Sequence, residues 1–239
     1  MRINKFLARC GVASRRGADE LILKGEVMID GRPALPGDDI TDDMVVEVSG
    51  RRISLPDESI VIAYYKPVGV TCTEKDDHAD RIITDEIPPE ISGGKRVTYA
   101  GRLDKDSEGL IILTDDGDLI DAMMRSSHLH EKEYEVSVNN NMKRSDIDNM
   151  RNGIYLKELD AVTRPCKVEQ TGPKSFKIIL TQGLNRQIRR MCEALGLTVT
   201  GLKRTRVMNI TLGKMQVGAS RKLTPDEKKE LYFECGLHI

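Results

Sequence analysis

Residues 96–114 read RVTYAGRLDKDSEGLIILT and contain two apolar runs around a short acidic segment. The runs RVTYAGRL (96–103) and GLIILT (109–114) are rich in β-branched, aromatic and other apolar residues, which is typical of strands. Three carboxylates lie between or beside them: Asp104, Asp106 and Glu108. This segment therefore predicts two strands joined by a loop that carries more acid than an ordinary turn needs.

The same kinds of pattern recur through the rest of the chain. Strand-like runs lie at 59–66, 132–138 and 175–181. Helical patterns lie near 119–127, 142–153, 185–196 and from Thr224 onward, where Thr224 can cap the helix. Long strands without a regular alternation of helix and strand predict an α+β domain, built on a mostly antiparallel β-sheet with flanking helices.

A smaller unit precedes this domain. Ser14 can cap the second of two short helices, Gly25 can end that helix, and Asp30-Gly31 is a typical hairpin turn between two strands. The polar stretch that follows, with Gly50 and Pro56, indicates a linker. The predicted organisation is an N-terminal domain over 1–50, a linker over 51–58 and a larger domain over 59–239.

Composition limits the classes of function. The five cysteines form no CxxC pair and the run His128-Leu129-His130 has no framework of metal ligands around it, so we expect reduced thiols and neither a metal nor another cofactor. No stretch approaches 18 consecutive apolar residues, and the N-terminus does not read as a signal peptide. A cytoplasmic protein without a membrane segment is the expectation.

The charge of the chain is unevenly distributed. The formal net charge is −1, yet residues 1–32 contain seven Lys/Arg against four Asp/Glu, and residues 174–206 contain eight against one. Clustered cations attract polyphosphate and release its counterions. The alternative is that each basic run is a solvated surface compensated by acidic neighbours, and for the first segment both interpretations stay open.

Three interpretations compete for the acidic loop. It can be a polar turn, since Asp and Ser favour turns and Gly109 relieves the backbone. It can resemble the start of a calcium loop, but the twelfth position holds Asp115 instead of the bidentate glutamate that such a loop needs, and the flanks are strand-like. It can also hold one carboxylate that acts as a nucleophile or base, which requires a cationic partner.

The predicted helix NRQIRRMCEALG (185–196) offers such a partner. On a helical projection Arg189 lies at the edge of the apolar face, whereas Arg186 and Arg190 point away from it. A partly buried arginine is costly unless it pairs with an anion. We therefore expect Arg189 to pair with a loop aspartate.

Two sets of motifs resemble known families. RINKFL, GVASRRGAD and LKGEVMIDG resemble the S4 RNA-binding domain. GRLDKDSEGLIILTDDGDL resembles the catalytic signature of the ribosomal RNA pseudouridine synthases, and YKPVGV, KEYEV and LTQGLNRQIRRM match their companion motifs. The chain thus resembles the S4-domain-containing ribosomal RNA pseudouridine synthases, the family of the small-subunit synthase A and the large-subunit synthases B, E and F, and within it the F subgroup.

The resemblance implies roles for individual residues. Asp104 is the catalytic nucleophile, Arg189 is its partner and Tyr134 stacks on the flipped base. Arg102 helps to fill the vacated stack, Lys66 supports the tyrosine and the pocket wall, and Asp106, Ser107 and Glu108 only build the turn. The S4 unit presents the cations Arg2, Lys5, Arg15 and Arg16 to RNA. Phosphate contacts are assigned to Arg186, Arg190, Lys203, Arg204 and Arg206.

Two functions follow as hypotheses. The first is isomerisation of a uridine to pseudouridine in ribosomal RNA, most readily a stem-loop of 23S RNA, with tRNA as a further partner and a monomeric enzyme. Because the reaction involves no redox change, it fits a sequence without a cofactor motif. The second is a non-catalytic S4-type RNA-binding or ribosome-assembly protein. A zinc deaminase would need HxE and PCxxC motifs, which the sequence lacks.

Overall fold

The computed structural model of the chain describes residues 1–56, 58–73, 81–125 and 129–237. The chain divides into two compact units. One comprises Met1–Ile60 with Asp115–Gly117, and the other comprises Val61–Thr114 with Asp118–Ile239. Within the described ranges, no helix is long and apolar enough to cross a membrane.

The first unit packs two helices against a small antiparallel sheet. Its elements are α1 (Ile3–Arg9), α2 (Arg15–Leu23), β1 (Val27–Ile29), β2 (Arg32–Pro33), β3 (Val46–Val48) and β4 (Arg51–Ile53), with the strand order β2-β1-β3-β4. The predicted cap is confirmed, because the Gly17 amide donates to Ser14 Oγ at 3.1 Å. The predicted hairpin turn is also confirmed: Asp30 and Gly31 both have positive φ, at 48° and 78°.

The start of the predicted linker is wrong. Residues 51–53 form β4, and Ile53 pairs with Val46 of β3. Ser49 and Gly50, with φ of 47° and 76°, turn the chain back into the sheet, so the glycine marks a hairpin and not the start of a linker. Asp57, within the predicted linker, lies outside the described residues.

The second unit is built on a nine-stranded sheet. Its strands are β5 (Val61–Lys66), β6 (Thr98–Ala100), β7 (Glu108–Thr114), β8 (Lys132–Val138), β11 (Lys167–Gly172), β12 (Ser175–Leu180), β13 (Val199–Val207), β14 (Ile210–Thr211) and β15 (Ser220–Lys222). A separate hairpin pairs β9 (Tyr155–Leu156) with β10 (Ala161–Val162). The helices are α3 (Pro89–Ser92), α4 (Gly117–Met124), α5 (Arg144–Asn152), α6 (Gln187–Ala194) and α7 (Pro225–Glu234).

The sheet is mostly antiparallel, as predicted, with one exception at its centre. The strand order is β11-β12-β8-β13-β7-β5-β15, and among the described strands only β13 and β7 pair in parallel. Their register places Lys203 beside Glu108 and Arg204 beside Gly109. The acidic loop enters β7 at this point, so the parallel pair fixes the start of β7 against the middle of β13.

Gly109 is required by the closeness of the two strands. Its φ is +115°, and a Cβ at this position would lie 2.3 Å from the carbonyl oxygen of Arg204 and 2.5 Å from its amide nitrogen. An L-residue would meet both a disfavoured backbone conformation and a backbone clash that no side-chain rearrangement can relieve.

We expect Gly109→Ala to lower the free energy of unfolding of the second unit by more than about 3 kcal/mol, since backbone strain and steric overlap act together. Gly183→Ala is the matched control, because a Cβ there meets nothing within 4 Å. Urea unfolding followed by circular dichroism measures both. Equal midpoints for the two variants would contradict the proposed constraint.

Candidate active site

The acidic loop, defined as residues 101–107, follows β6 and ends at β7. The Ser107 amide donates to the carbonyl oxygen of Asp104 at 3.1 Å, which closes a turn, and the Gly69 amide donates to that of Lys105 at 2.8 Å. The loop leaves the side chain of Asp104 38% exposed. A carboxylate with this exposure is accessible to a substrate while its backbone is held in place.

Two buried cations bind the backbone of the acidic loop. Lys66 is fully buried, and its Nζ donates to the carbonyl oxygens of Ser107 at 2.7 Å and Pro67 at 2.9 Å. Arg204 is 2% exposed, and it donates from Nε to Leu110 O at 2.7 Å and from Nη1 to Arg102 O at 3.4 Å. Burial lowers the pKa of Lys66, and electrostatic interaction with Cys72, Asp106 and Asp104 raises it by a smaller amount.

These contacts correct two of the predicted RNA-binding residues. A phosphate contact for Arg204 is wrong, because its guanidinium lies within the protein and donates to backbone oxygens. Lys66 does not reach RNA either, but the expectation that it supports the pocket wall agrees with its hydrogen bond to the loop. Buried cations satisfied by carbonyl oxygens avoid part of the desolvation cost of an unpaired charge.

The ion pair at Asp104 differs from the predicted one. Arg186 Nη1 lies 3.1 Å from Asp104 Oδ2, and Arg186 Nη2 lies 3.3 Å from Asp106 Oδ2. Arg189 instead donates from Nη2 to Asp106 O at 3.0 Å and to Ser107 Oγ at 3.1 Å, with Asp106 Oδ2 at 3.2 Å. Arg189 thus pairs with a loop aspartate, as the helical projection predicts, but that aspartate is Asp106. The pair with Asp104 that the resemblance implies is wrong, and so is the outward direction of Arg186.

The reason is the start of the helix. α6 begins at Gln187, and Arg186 is its N-cap, with φ 48° and ψ 35° in the left-handed region. A helical projection gives no direction for a residue outside the helix. Arg189, which is inside it, does turn inward as the projection indicates: its side chain is 16% exposed, against 41% for Arg186.

Asp106 and Ser107 do more than build a turn. Asp106 accepts from both arginines of the site, and Ser107 Oγ accepts from Arg189. Partial burial opposes ionisation of Asp106, but the hydrogen bond from Arg186 and the charges of Arg189 and Arg186 outweigh it, so the pKa of Asp106 is lowered. Glu108 accepts from the hydroxyl of Tyr65 at 3.0 Å.

A cleft of about 350 Å³ opens beside Asp104. Asp104 is the one carboxylate among its described lining residues. Six Lys/Arg residues also line the cleft: Arg102, Arg125, Lys132, Arg186, Arg189 and Arg204. Tyr134 also lines it, from β8, where it pairs with Arg204 of β13. The cleft thus brings a carboxylate, an aromatic ring and an excess of positive charge together, as the sequence motifs predict.

Three other predicted phosphate-binding cations have carboxylate partners. Arg190 pairs with Glu158, Lys203 Nζ lies 2.9 Å from Glu135 Oε2, and Arg206 Nη2 lies 2.8 Å from Glu131 Oε2. The acids come from distant parts of the sequence, so the excess of positive charge over residues 174–206 is largely neutralised in the fold. These ion pairs favour the alternative of a basic run compensated by acidic neighbours, and the phosphate contacts of the three residues stay predictions.

A β-bulge explains why Arg206 leaves the cleft. Tyr134 pairs with Arg204, but the next partner of β8, Glu133, pairs with Arg206, so Thr205 is an extra residue in β13. Side chains alternate between the two faces of a strand, and one inserted residue reverses that alternation. Arg206 therefore lies beside Glu133, with Nε 3.4 Å from Glu133 Oε2.

The cations of the first unit are arranged around its two helices. Arg2 precedes α1 and pairs with Asp39 at 3.4 Å, and Lys5 lies within α1. Arg15 and Arg16 are the first two residues of α2, and both are exposed. Because Ser14 caps α2, the two arginines occupy the first helical turn, where the helix dipole disfavours positive charge.

Among the described residues, no group of three or more His, Cys, Asp or Glu side chains is positioned to hold a metal ion. His130 is buried, and its Nε2 lies 3.1 Å from the carbonyl oxygen of Ala122. His128, the other histidine of the predicted HxH run, lies outside the described residues.

Comparisons with known proteins agree with this site. Residues 60–194 match the model of the RNA pseudouridylate synthase family, and residues 1–46 match the S4 domain. The chain therefore belongs to the RNA pseudouridylate synthase family and is an enzyme that isomerises uridine in RNA.

Individual relatives show how far the similarity extends. The dual-specificity RNA pseudouridine synthase RluF of Salmonella typhi is 43% identical over 233 residues, covering 97% of this chain and 78% of the relative. An uncharacterized RNA pseudouridine synthase of Mycobacterium tuberculosis is 35% identical over 241 residues, covering 99% and 95%. A crystal structure of a pseudouridylate synthase, 26% identical, superposes with a TM-score of 0.70 over 97% of this chain and 99% of the other. The resemblance to the F subgroup is confirmed.

The lowered pKa of Asp106 predicts acid sensitivity. A carboxylate with a depressed folded pKa contributes stability that is present above its unfolded value, 3.8, and is lost as pH falls through the folded value. Between pH 5 and pH 2 we therefore expect Asp106→Asn to lose less stability than the unmodified protein. Urea midpoints measured across this range test it.

Glu193→Gln on α6 is the control, because Glu193 is exposed and has no ion pair among the described residues. It should follow the unmodified protein at every pH. A parallel decline of stability in all three proteins would show that the ion pairs of Asp106 do not contribute.

Proposed function

We propose that this chain converts a uridine of ribosomal RNA to pseudouridine, with Asp104 as the catalytic carboxylate. The observation that carries the proposal is the cleft beside Asp104, in which one carboxylate faces six cationic side chains and the ring of Tyr134. The cations suit a polyanionic substrate, the ring suits an unstacked base, and the carboxylate suits the bond rearrangement.

The chemistry follows from the product. The bond between N1 of uracil and C1′ of ribose breaks, the base turns, C5 bonds to C1′, and the proton on C5 is lost while N1 gains one. Atoms and electrons balance without an oxidant. Asp104 is the group that can add to the sugar or to the base, and the 3.1 Å contact with Arg186 orients its Oδ2. The two routes share the requirement for an ionised Asp104.

The uridine must leave its stack to reach Asp104. Extruding a base costs a few kcal/mol, and stacking on an aromatic ring restores about 1–3 kcal/mol. Tyr134 supplies this ring from the central part of the sheet, where β12 and β13 flank its strand. Arg102, exposed at the cleft, is the residue we assign to the space that the base vacates.

The substrate is a proposal that rests on the relatives and on the S4 unit. A stem-loop of 23S ribosomal RNA is the expected target, tRNA is a second one, and the enzyme acts in the cytoplasm as a monomer. Mapping pseudouridines in RNA from cells with and without the gene decides among these RNAs. A site that disappears only from small-subunit RNA would overturn the choice of target.

We expect Asp104→Asn to lower the rate of pseudouridine formation at least a thousandfold, or about 4 kcal/mol of activation free energy, because the amide cannot act as the nucleophile or base. Tritium release from RNA labelled at C5 of uridine measures the rate. The substitution preserves shape and removes a negative charge, so RNA affinity should stay the same or increase.

Membership of the synthase family argues against the second hypothesis, a non-catalytic RNA-binding or assembly protein. If the chain has a role in ribosome assembly besides catalysis, cells with Asp104→Asn keep normal assembly although the modification is absent. Retained tritium release in the variant would instead reject Asp104 as the catalytic group. The S4 cations are common to both hypotheses and do not distinguish them.

The paired and unpaired cations predict different salt effects. The side chains of Arg102 and Arg125 line the cleft and are exposed, with no ion pair among the described residues, whereas Lys203 is paired with Glu135. Each lost phosphate contact lowers the slope of log affinity against log salt by about 0.7 to 1. We expect this change for Arg102→Gln and Arg125→Gln and a smaller one for Lys203→Gln. Binding titrations from 50 to 300 mM salt measure it, and an equal change in all three would contradict the assignment.

A further inference from the structure

Two cations inside the cleft, Lys132 and Arg204, have no carboxylate partner in the described ranges of the chain. Lys132 lines the cleft from β8 and takes part in no side-chain hydrogen bond or ion pair in the described part of the chain. Arg204 uses Nε and Nη1 for backbone oxygens, but its Nη2 is buried and has no acceptor among the described residues. The other two cations beside the acidic loop, Arg186 and Arg189, are neutralised by Asp104 and Asp106.

The two cations are also close to each other. Burial is the main cause of the lowered pKa of Lys132, and the charge of Arg204 lowers it further. Two like charges side by side in a partly dehydrated site are unfavourable, and a buried donor without an acceptor costs about 1–3 kcal/mol. Such an arrangement is costly in the free protein and becomes favourable when an acceptor with negative charge enters.

The position of the donors decides what kind of acceptor fits. Lys132 and Tyr134 are two residues apart on β8, so their side chains lie on the same face, and Tyr134 pairs directly with Arg204 across the sheet. A base stacked on Tyr134 would turn one edge toward both cations. Arg204 Nη2 has less than 1 Å² of exposed surface in the free protein, so a base reaches it only when the side chains around it shift.

We propose that Lys132 and Arg204 bind the carbonyl oxygens of the extruded uracil and stabilise the negative charge that develops on them. The inference rests on the proposed function and goes beyond it, since it assigns recognition of the base and a share of the catalysis to these two side chains.

The reaction provides the charge that these donors need. When the N1–C1′ bond breaks, its electron pair stays with uracil and spreads over O2 and O4. If Asp104 adds to the base first, electron density moves from the ring double bond onto O4. Both routes place negative charge on a carbonyl oxygen, and a donor fixed in advance near it stabilises the transition state more than the substrate.

The same geometry discriminates between pyrimidines. Uracil presents a carbonyl oxygen at C4, whereas cytosine presents an amino group, which is a donor. In the cleft, the amino group of a cytosine would face the donors of Lys132 and Arg204, and the two cations would lack an acceptor. The pair therefore acts as a filter for uridine in addition to stabilising the charge.

The test separates this role from phosphate binding and from a structural role. Lys132→Met keeps the length and apolar stem of the side chain and removes the charge. We expect the single-turnover rate of pseudouridine formation at saturating RNA to fall about 100-fold. The Kd for RNA should change less than about threefold, and the urea midpoint should change less than about 5%. Lys132→Arg should recover part of the rate. Lys174→Met, an exposed lysine in the turn between β11 and β12, is the control and should change neither quantity.

Substrates with sulfur in place of oxygen then identify the contact. Sulfur accepts hydrogen bonds weakly, so RNA with 2-thiouridine or 4-thiouridine at the target should react about tenfold more slowly with the unmodified enzyme. In Lys132→Met, sulfur at the position that Lys132 contacts should no longer slow the reaction, so one of the two rate decreases caused by sulfur should disappear. Equal thio effects in both enzymes would overturn the proposal, as would a raised Kd and reduced salt slope with an unchanged rate.

Failure of the proposed function is distinguishable from failure of this inference. If the unmodified enzyme forms no pseudouridine in any RNA tested, the function itself is wrong. If it does so and Lys132→Met is equally fast, only the role of Lys132 is wrong. Arg204→Lys is less informative, because it also removes the hydrogen bonds that hold the acidic loop.

Discussion

The close approach of β13 to β7 organises the active site. The backbone of Arg204 leaves no room for a Cβ at residue 109. Its side chain donates to the carbonyl oxygens of Arg102, near the start of the acidic loop, and of Leu110, in the strand that follows the loop. One residue therefore fixes both the strand that follows the loop and the backbone that precedes Asp104. Lys66 binds the loop between these points, at Ser107 O. A catalytic carboxylate on a loop can be positioned accurately when buried donors hold the loop in this way.

Neutralisation of charge separates two sets of cations in this protein. A row of alternating charge crosses five adjacent strands. Each residue of the row pairs with the next one on the neighbouring strand, in the order Glu169, Lys177, Glu135, Lys203 and Glu108. Opposite charges on adjacent strands stabilise a sheet by about 0.2–1 kcal/mol per pair. On the neighbouring row, Tyr134, Arg204 and Gly109 are aligned, and no carboxylate interrupts them. Lys203 and Arg204 are adjacent in the sequence, yet Lys203 pairs with Glu135 on one face of the sheet and Arg204 lines the cleft on the other.

The sequence predicted the elements that have clear apolar patterns or caps, and it missed those that do not. The strands around the acidic loop, the S4 unit and the helix that starts after Thr224 are as expected, the last with a capping box between Thr224 and Glu227. β13, at the centre of the sheet, was not predicted, because VTGLKRTRV contains a glycine and three cations, and one of its buried side chains is Arg204. Hydrophobic periodicity does not identify a strand in which a charged residue takes one of the few buried positions. The bulge at Thr205 was equally invisible, since it is a matter of register.

The candidate site shows the same limit at a single residue. Asp104, Tyr134 and the inward position of Arg189 follow from motifs and helical geometry, but the partner of Asp104 depends on where α6 begins. A left-handed backbone costs a non-glycine residue about 1–2 kcal/mol. At Arg186 this strain directs the guanidinium toward Asp104 and Asp106, so the cost is offset by two ion pairs at a position where a regular helix would turn the side chain to solvent. Strain of this kind is found at functional sites, because the surrounding structure must hold it in place.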